Sequence, residues 1–458
     1  MKKSSEIYLF EEMPIPQAVA RMCIPTVLSS LVMILYNLAD TYFVGMLNDP
    51  VQNAAVTLAF PVLLAFNAVT NLFGVGTSSV MSRSLGHRDY EDVRTSSAIG
   101  FYGTLSFGVL FSVGCVVCNN PLLRILGVTE VTHQATADYI FWTTSLGAAP
   151  AMLNVVLSYF VRAEGASIHA SVGTMLGCFL NILLDPVFIL PWGLNMGAAG
   201  AGCATFLSNC VATLYFLVLI TVKGKRTYVC INPRKLVPDK KIIKNIFVVG
   251  IPAAIQNLLN VTGLTILNNF VTVYGPVPVA AMGVASKLNQ IPMQTTLGIG
   301  QGVMPLVSYN YSSGNRERMK RSIAVTLGIM VPLSVIITVG YYVWAEPLVR
   351  VFMDNDEVVS YGVPFLRGLC LGLTFLCVDF LGVGVFQALG RGKNAFVFAI
   401  MRKIILEIPA LFILNMMFPL YGLAYAQAFA EVVLAVAAGI IMYRICHESP
   451  EKTPLPKR

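Results

Sequence analysis

The sequence predicts an all-α polytopic membrane protein with twelve transmembrane helices in two six-helix bundles related by pseudo-two-fold symmetry. Three observations carry this. The 458 residues are 56% apolar and only 12% charged, with a mean hydropathy of +0.72, whereas a soluble domain carries about 25% charge. Long stretches hold no charge at all, for example Leu58 to Met81 and Thr95 to Leu123. The pattern also runs twice. Each half opens with a basic residue, a short apolar stretch and a proline: Arg21-Met-Cys-Ile-Pro25 in the first, Lys244 to Pro252 in the second. Each later has a glycine-rich helix ending in a basic loop, Gly74 to Gly86-His-Arg and Gly302 to Gly314-Asn-Arg, with twelve residues from glycine to glycine in both. In lipid every backbone polar group needs an internal partner, so spans of this length are helices. The ten-residue alternation of a membrane β-barrel is absent.

In order, residues 1–17 read as a cytoplasmic lead-in. Glu6, Glu11 and Glu12 interrupt them and no small-residue cleavage site follows, so they are not a signal peptide. Apolar runs long enough to cross about 30 Å of hydrocarbon then place spans at 18–45, 53–80, 95–118, 134–160, 170–190 and 198–222, the N-terminal bundle being 18–222. A basic connector, 223–242, is the longest segment without a span and falls between the repeats. The C-terminal bundle, 243–446, has spans at 243–273, 279–308, 322–345, 358–388, 394–416 and 420–446, followed by a cytoplasmic tail, 447–458. Prolines within the spans (Pro25, Pro61, Pro150, Pro252, Pro292, Pro305, Pro409) are hinge, ion-site or packing kinks.

Lys and Arg assign the sides. One set of loops holds Lys2, Lys3, Arg83, Arg88, Arg94, Arg162, the connector, Arg316 to Arg321, Arg391, Lys393 and the basic tail. The opposite set holds Arg124, Arg350 and little else. Both termini and the connector are therefore expected in the cytoplasm of a multi-pass cell-membrane protein. With six spans per half, both halves enter from the same side, so the symmetry axis runs along the membrane normal. The net charge of +8 belongs to these short loops, which excludes a nucleic-acid partner. On this orientation the sequon Asn310-Tyr-Ser312 is cytoplasmic and not glycosylated.

Ionisable residues inside spans are few, and each is a functional candidate by default. Tyr36, Asn37, Asp40 and Thr41 lie within about one and a half turns of the first helix, and Asn181 and Asp185 stack four apart on the fifth. Two carboxylates with an amide suit a bound cation or an exchangeable proton, with Thr205 of the sixth helix as a further oxygen donor. The alternatives are a membrane-edge position for Asp40 and a helix end for Asp185, next to Pro186. The seventh helix offers amides at the matching place (Gln256, Asn257, Asn260) but no carboxylate. Lys287, Asp379, Glu407 and Glu431 complete the intramembrane set. Lys287 pairs with Asp379 or Glu431, or snorkels to the outer interface; Glu407 suits a local bridge to Arg402 or Lys403. Asn37, Gln256, Asn257, Asn260, Lys287 and Asp379 are thus candidates for a substrate cavity.

The glycine clusters lack a Walker lysine and a preceding strand, so they read as close helix packing, not phosphate loops. With no ATP site, an ion gradient is the expected energy source. The ten cysteines read as small packing residues. No cofactor and no catalytic residue is expected.

Five motifs together are similar to the multidrug and toxic compound extrusion (MATE) family. They are Tyr36-Asn-Leu-Ala-Asp40-Thr-Tyr-Phe-Val-Gly45, Ser82-Arg-Ser-Leu-Gly86, Arg162-Ala-Glu-Gly165, Asn181-Ile-Leu-Leu-Asp185-Pro186 and Gln387-Ala-Leu-Gly390. The resemblance covers residues 18–446. It implies two six-helix bundles forming a V-shaped cavity, and antiport of H⁺ or Na⁺ against organic, often cationic, compounds. The cation site it implies, in a prokaryotic branch, falls on Asp40, Asn181, Asp185 and Thr205, with Tyr36 alongside; under Na⁺ coupling, Asp40, Asn181 and Asp185 are the metal ligands. Another branch adds a glutamate in helix seven and an aspartate in helix ten; this sequence has no helix-seven acid, with Gln256 and Asn257 in that region, and Asp379 as the equivalent in helix ten. A monomer in contact with membrane lipid is expected. The rival reading is a lipid-linked oligosaccharide flippase of related architecture, whose anionic substrate would call for cavity cations, of which the sequence offers Lys287 and Arg367.

Overall fold

A computed structural model describes residues 5–447. Lys2, Lys3, Lys452, Lys457, Arg458 and the tail from residue 448, used above for orientation, lie outside the described residues. Among the described residues every regular element is helical. After a short helix, Ser5–Glu11, the first six spans are α1 (Ile15–Gly45), α2 (Pro50–Gly86), α3 (Tyr90–Val117), α4 (Glu130–Leu146 and Ala148–Ala163), α5 (Ser167–Ile189) and α6 (Ala198–Lys223). The second six are α7 (Lys240–Thr272), α8 (Pro276–Ser312), α9 (Arg316–Val343), α10 (Asp356–Cys370 and Leu373–Ala388), α11 (Gly392–Ile400, Met401–Glu407 and Ile408–Met417) and α12 (Tyr421–His447).

Eight of these are long and apolar enough to cross a membrane alone, and two bent pairs, α4 and α10, bring the number to ten. The remaining two predicted spans are helical as well. In α8, Lys287, Asn289 and Gln290 sit among glycines and prolines and dilute its hydropathy. In α11 a π-helical turn, Met401–Glu407, carries Arg402, Lys403 and Glu407.

The helix starts follow capping chemistry. Asp49 caps α2, accepting from the Val51 N–H at 2.8 Å ahead of a first-turn proline. Asp89 caps α3 and Asn315 caps α9 in the same way. Gly165 and Gly390 end α4 and α10 with φ of +94° and +73°, a conformation open to glycine at no steric cost. The two bent spans are the fourth of each half. Each breaks at a glycine, Gly147 with a 49° bend and Gly372 with a 43° bend.

By packing, the chain forms two compact units: Leu28–Ala254 with the residues up to Leu9, and Phe10–Val27 with the residues from Ile255 onward. The boundaries depart from the sequence repeat at two places inside helices. The start of α1 packs in the second unit, where a Cβ on Gly302 would press on Met22 and Cys23, and the Cys23 thiol donates to the Ile299 carbonyl at 3.5 Å. The start of α7 packs in the first, where Gly76 lies against Ile246, Gly250 against the Leu72 carbonyl and Phe73 against Phe247. Both crossings come two residues after a helix proline, Pro25 and Pro252. A methyl group at Gly250 would overlap the Leu72 carbonyl, so Gly250→Ala is expected to cost about 1–3 kcal/mol. The readout is a lower Tm of the purified protein, with Gly439→Ala, which has open space around it, unchanged.

The connector is packed against the first unit. Glu164, 3% exposed at the end of α4, accepts from the Thr227 hydroxyl at 2.8 Å and the Tyr228 N–H at 3.0 Å. Tyr228 stacks on Tyr90, Ser97 accepts from the Cys230 N–H at 2.9 Å, and Tyr102 donates to the Ile231 carbonyl at 2.8 Å. Glu164→Ala leaves one buried and one half-buried donor without their acceptor, a local cost of about 1–3 kcal/mol. Trypsin is then expected to cut at Arg226 and Arg234 faster than in the parent; an equal rate would show that the strap holds without Glu164. In the second unit the residues before α1 are tied down similarly. Arg318 donates to the Phe10 and Met13 carbonyls, each at 2.6 Å, and the Tyr309 hydroxyl to Glu11 at 2.8 Å. Asn310 of the sequon is 1% exposed and donates to Phe10 and Leu306.

Candidate functional site

In the first unit α5 and α6 approach closely because Gly173 faces the Phe216 ring and Gly177 faces the Ala212 methyl. That approach brings two polar pairs, each four residues apart on its helix, into register: Asn181 and Asp185 on α5, Thr205 and Asn209 on α6. Asp185 is 0% and Asn181 2% exposed. With its amide oriented by its neighbours, Asn181 donates to Asp185 Oδ2 at 2.9 Å and accepts from the Thr205 hydroxyl at 3.2 Å. Asn209 donates to the Thr205 carbonyl at 2.9 Å and accepts from Asn154 of α4 at 3.1 Å. The network thus spans α4, α5 and α6.

α1 supplies the remaining members. It is tied to α5 where Ser29 meets Ser171 at 3.4 Å. Further along, Tyr36 is half-buried, lies near Thr205 and is within electrostatic reach of both Asp40 and Asp185. Asp40 is half-buried, interacts electrostatically with Asp185, and has a buried Oδ1 with no hydrogen-bond partner among the described residues. Asn37 is exposed on the same helix. Tyr139 of α4, 4% exposed, is within electrostatic reach of Asp40, Tyr36 and Asp185. Asp40, Asn181, Asp185, Thr205 and Tyr36 therefore come together. Asn154, Asn209 and Tyr139 are members the sequence reading passed over. Asn209 was findable, four residues after Thr205; Asn154 and Tyr139 carried no comparable signal.

Carboxylate, amide-carbonyl and hydroxyl oxygens are hard donors suited to a proton or a small hard cation, not a soft metal. Among the described residues no three His, Cys, Asp or Glu side chains gather as a metal centre. The ten cysteines are free, with Cys118 exposed and the rest buried or half-buried.

The second unit holds a different cluster. Arg402, 3% exposed, donates from Nε to Glu431 Oε1 at 2.9 Å and from Nη2 to Oε2 at 3.0 Å, while Nη2 also meets Asp379 Oδ2 at 2.8 Å. Its guanidinium lies over the Phe380 ring, 4.3 Å from the centroid. Lys403 pairs with Glu407 at 2.7 Å, and Gly263 of α7 leaves room for that pair. This corrects the expected partners of Lys287. Asp379 and Glu431 both belong to Arg402, whose fork reaches two carboxylates at once, while Lys287 is exposed and forms no ion pair among the described residues. Asn260 lines a cavity of about 110 Å³ beside this network, with Ser286, Asn289, Gln290 and Gln427. Gln256 accepts from Gln387 at 3.4 Å, and Asn257 keeps a buried carbonyl oxygen unpartnered.

The sequence model of the MatE family matches residues 25–187 and 252–413, one match per half. The chain is 31% identical over 447 residues to the multidrug export protein MepA of Staphylococcus aureus strain MRSA252, covering 96% of both. It is 30% identical over 442 residues to MepA of Staphylococcus saprophyticus, again covering 96% of both. A solved structure described as MATE in the straight conformation superposes with a TM-score of 0.90 at 26% identity, covering 97% of this chain and 99% of that one. Another, an outward-facing multidrug resistance MATE transporter, gives 0.91 at 25% identity, covering 98% and 99%.

Proposed function

The chain belongs to the MatE family, and on that premise we propose that it is a cation-coupled antiporter that exports organic, cationic compounds across the cytoplasmic membrane, with both termini in the cytoplasm. One observation carries the coupling part of this reading: Asp185, Asn181 and Thr205 are hydrogen-bonded together in the interior of the first unit with Asp40 and Tyr36 alongside. Carboxylates inside a membrane are costly unless they bind something. A proton or Na⁺ entering from outside neutralises the Asp40–Asp185 pair and shifts the population toward the inward-facing state. An organic cation taken up from the cytosol or inner leaflet then favours release of the ion inward and leaves on the far side. Na⁺, where it is the coupling ion, would be held by Asp40, Asn181 and Asp185. Pro25 of α1 is the hinge in this cycle, next to the point where α1 passes from one unit to the other. Against an anionic, pyrophosphate-linked substrate stands the pairing of Arg402 and Lys403, both engaged by carboxylates.

The test is export of tetraphenylphosphonium from proteoliposomes under pH and Na⁺ gradients imposed separately. One of the two is expected to drive export above the leak rate. If neither does, the antiport reading falls.

A further inference from the structure

The connector between the halves is more than a tether. From residue 223 to residue 244 it carries eight Lys and Arg side chains against a single acid, Asp239. Its middle runs along α3. The Cys230 N–H donates to the Ser97 hydroxyl at 2.9 Å, the Ile231 carbonyl accepts from Tyr102 at 2.8 Å, and Lys235 pairs with Glu91 at 2.8 Å. Ser97 and Tyr102 belong to the charge-free run that starts at Thr95, and Glu91 precedes it. The chain from Cys230 to Lys235 therefore lies alongside the edge of the membrane-spanning part of α3, at the depth where hydrocarbon gives way to headgroups.

This segment leaves two kinds of side chain uncovered. Leu236 is 43% and Val237 56% exposed, an apolar pair directly after the residue that ties the connector to α3. Exposed cations flank the pair: Arg226 and Arg234 before it, and Lys240 and Lys244, about one turn apart on α7, after it. None of these four forms an ion pair among the described residues. The acids nearby are already engaged. Glu91 holds Lys235, and Asp89 accepts from the Asp92 N–H. Asp92 is within electrostatic reach of Lys241, and Asp239 accepts from the Lys241 N–H at 2.7 Å. Loop cations by themselves only orient a chain in the membrane. An apolar pair set between unpaired cations at interface depth is the composition of a segment that lies on an anionic bilayer surface.

We propose that the connector is a binding surface for anionic phospholipid headgroups, in which Leu236 and Val237 enter the interface while Arg234, Lys240 and Lys244 take up the phosphate charge. An anionic surface favours each nearby Lys or Arg by about fivefold, so three such cations make the segment select charged over zwitterionic lipid. The surface lies wholly within the first unit and is separate from the Asp40–Asp185 cluster. That it meets the cytoplasmic leaflet rests on the orientation proposed above. The binding rests neither on that orientation nor on antiport.

The test is fluorescence of the full-length Leu236→Trp protein in proteoliposomes, read as the difference from the parent with its three tryptophans. Both leaflets contain either brominated phosphatidylglycerol or brominated phosphatidylcholine, at equal mole fraction. At low salt the anionic lipid is expected to quench Leu236→Trp severalfold more than the zwitterionic one. That excess should be lost in about 1 M NaCl, where the Debye length falls to about 3 Å. It should also be lost when Arg234→Gln, Lys240→Gln and Lys244→Gln are added. All four positions are exposed, so the variants are expected to fold, with Tm as the check. Equal quenching by the two lipids overturns the proposal, because the headgroup charge is then not read. Quenching by aqueous iodide but by neither lipid overturns it by placing the segment in water. Shielding from iodide and from both lipids overturns it by placing a second copy of the chain on the segment. An excess that survives the three Gln substitutions overturns it as well, since other residues then read the charge. If the lipid preference holds while no gradient drives export, the antiport reading alone fails; if the parent exports without any lipid preference, the connector surface alone fails.

Discussion

Asp40→Asn is expected to remove gradient-driven export while leaving substrate binding in place. Asparagine keeps the size and hydrogen-bonding shape of the side chain but cannot gain or lose a charge. Asp185, Asn181, Thr205 and their bonds across α5 and α6 do not depend on Asp40, so the cluster should persist. What disappears is the charge change that lets an ion distinguish two states of the protein, and a ligand without such differential affinity shifts no equilibrium. Coupling between two sites is typically worth about 5- to 150-fold, and that whole factor should vanish from the ratio of rates with and without the gradient. Equilibrium binding of tetraphenylphosphonium serves as the check that the protein is intact. A mutant with parental gradient stimulation would remove Asp40 from the coupling site.

Arg402→Ala is expected to be the most destabilising single change in the second unit. The guanidinium serves Asp379 and Glu431 at once and packs on Phe380. Its removal strands two buried carboxylates, and breaking a buried ion pair on one side costs about 3–5 kcal/mol. Lysine is a poor replacement, because it lacks the planar fork that reaches two carboxylates. Thermal unfolding of the purified protein followed by tryptophan fluorescence would show a large drop in Tm. A triple variant, Asp379→Asn with Arg402→Met and Glu431→Gln, should recover much of it, because it removes the stranded charges together. A Tm near the parental value in Arg402→Ala alone would show the triad to be energetically idle.

What the sequence discloses and what it withholds follow from range. Apolar runs are local, and each of the twelve expected spans falls on helix, eight to ten of them apolar and long enough to cross a membrane; the described helices extend several of them into the loops, as α2 does to Gly86. The Asn181–Asp185 pair was visible because four residues is about one helical turn. Its tie to Thr205 rests on the family resemblance, and its extension through Asn209 to Asn154 leaves no local signal, because that contact joins residues 55 apart. The partners of Asp379 and Glu431 were out of reach for the same reason. Arg402 lies close in sequence to Glu407, so a local bridge was the natural expectation, yet the π-helical turn of α11 gives Glu407 to Lys403 and leaves Arg402 to α10 and α12. The glycine clusters holding Gly76 and Gly302 read as close-packing positions, which their contacts bear out, but nothing in their spacing tells which helix approaches them, and Gly250 carries no such signal.

The crossing of the two helix starts has a consequence for how the protein is made. As the chain leaves the ribosome, the first six spans are complete by Lys223, but the surface around Gly76, Leu72 and Phe73 receives its partner only when residues 240–254 have been synthesised. The start of α1, made first, must wait longer still, until Ile299 and Gly302 exist to receive it. Neither half of the gene therefore encodes a self-sufficient body. A bisected protein would have to be expressed as both fragments together, each completing the other by exchange of a helix end, and the order of insertion into the membrane cannot also be the order of final packing.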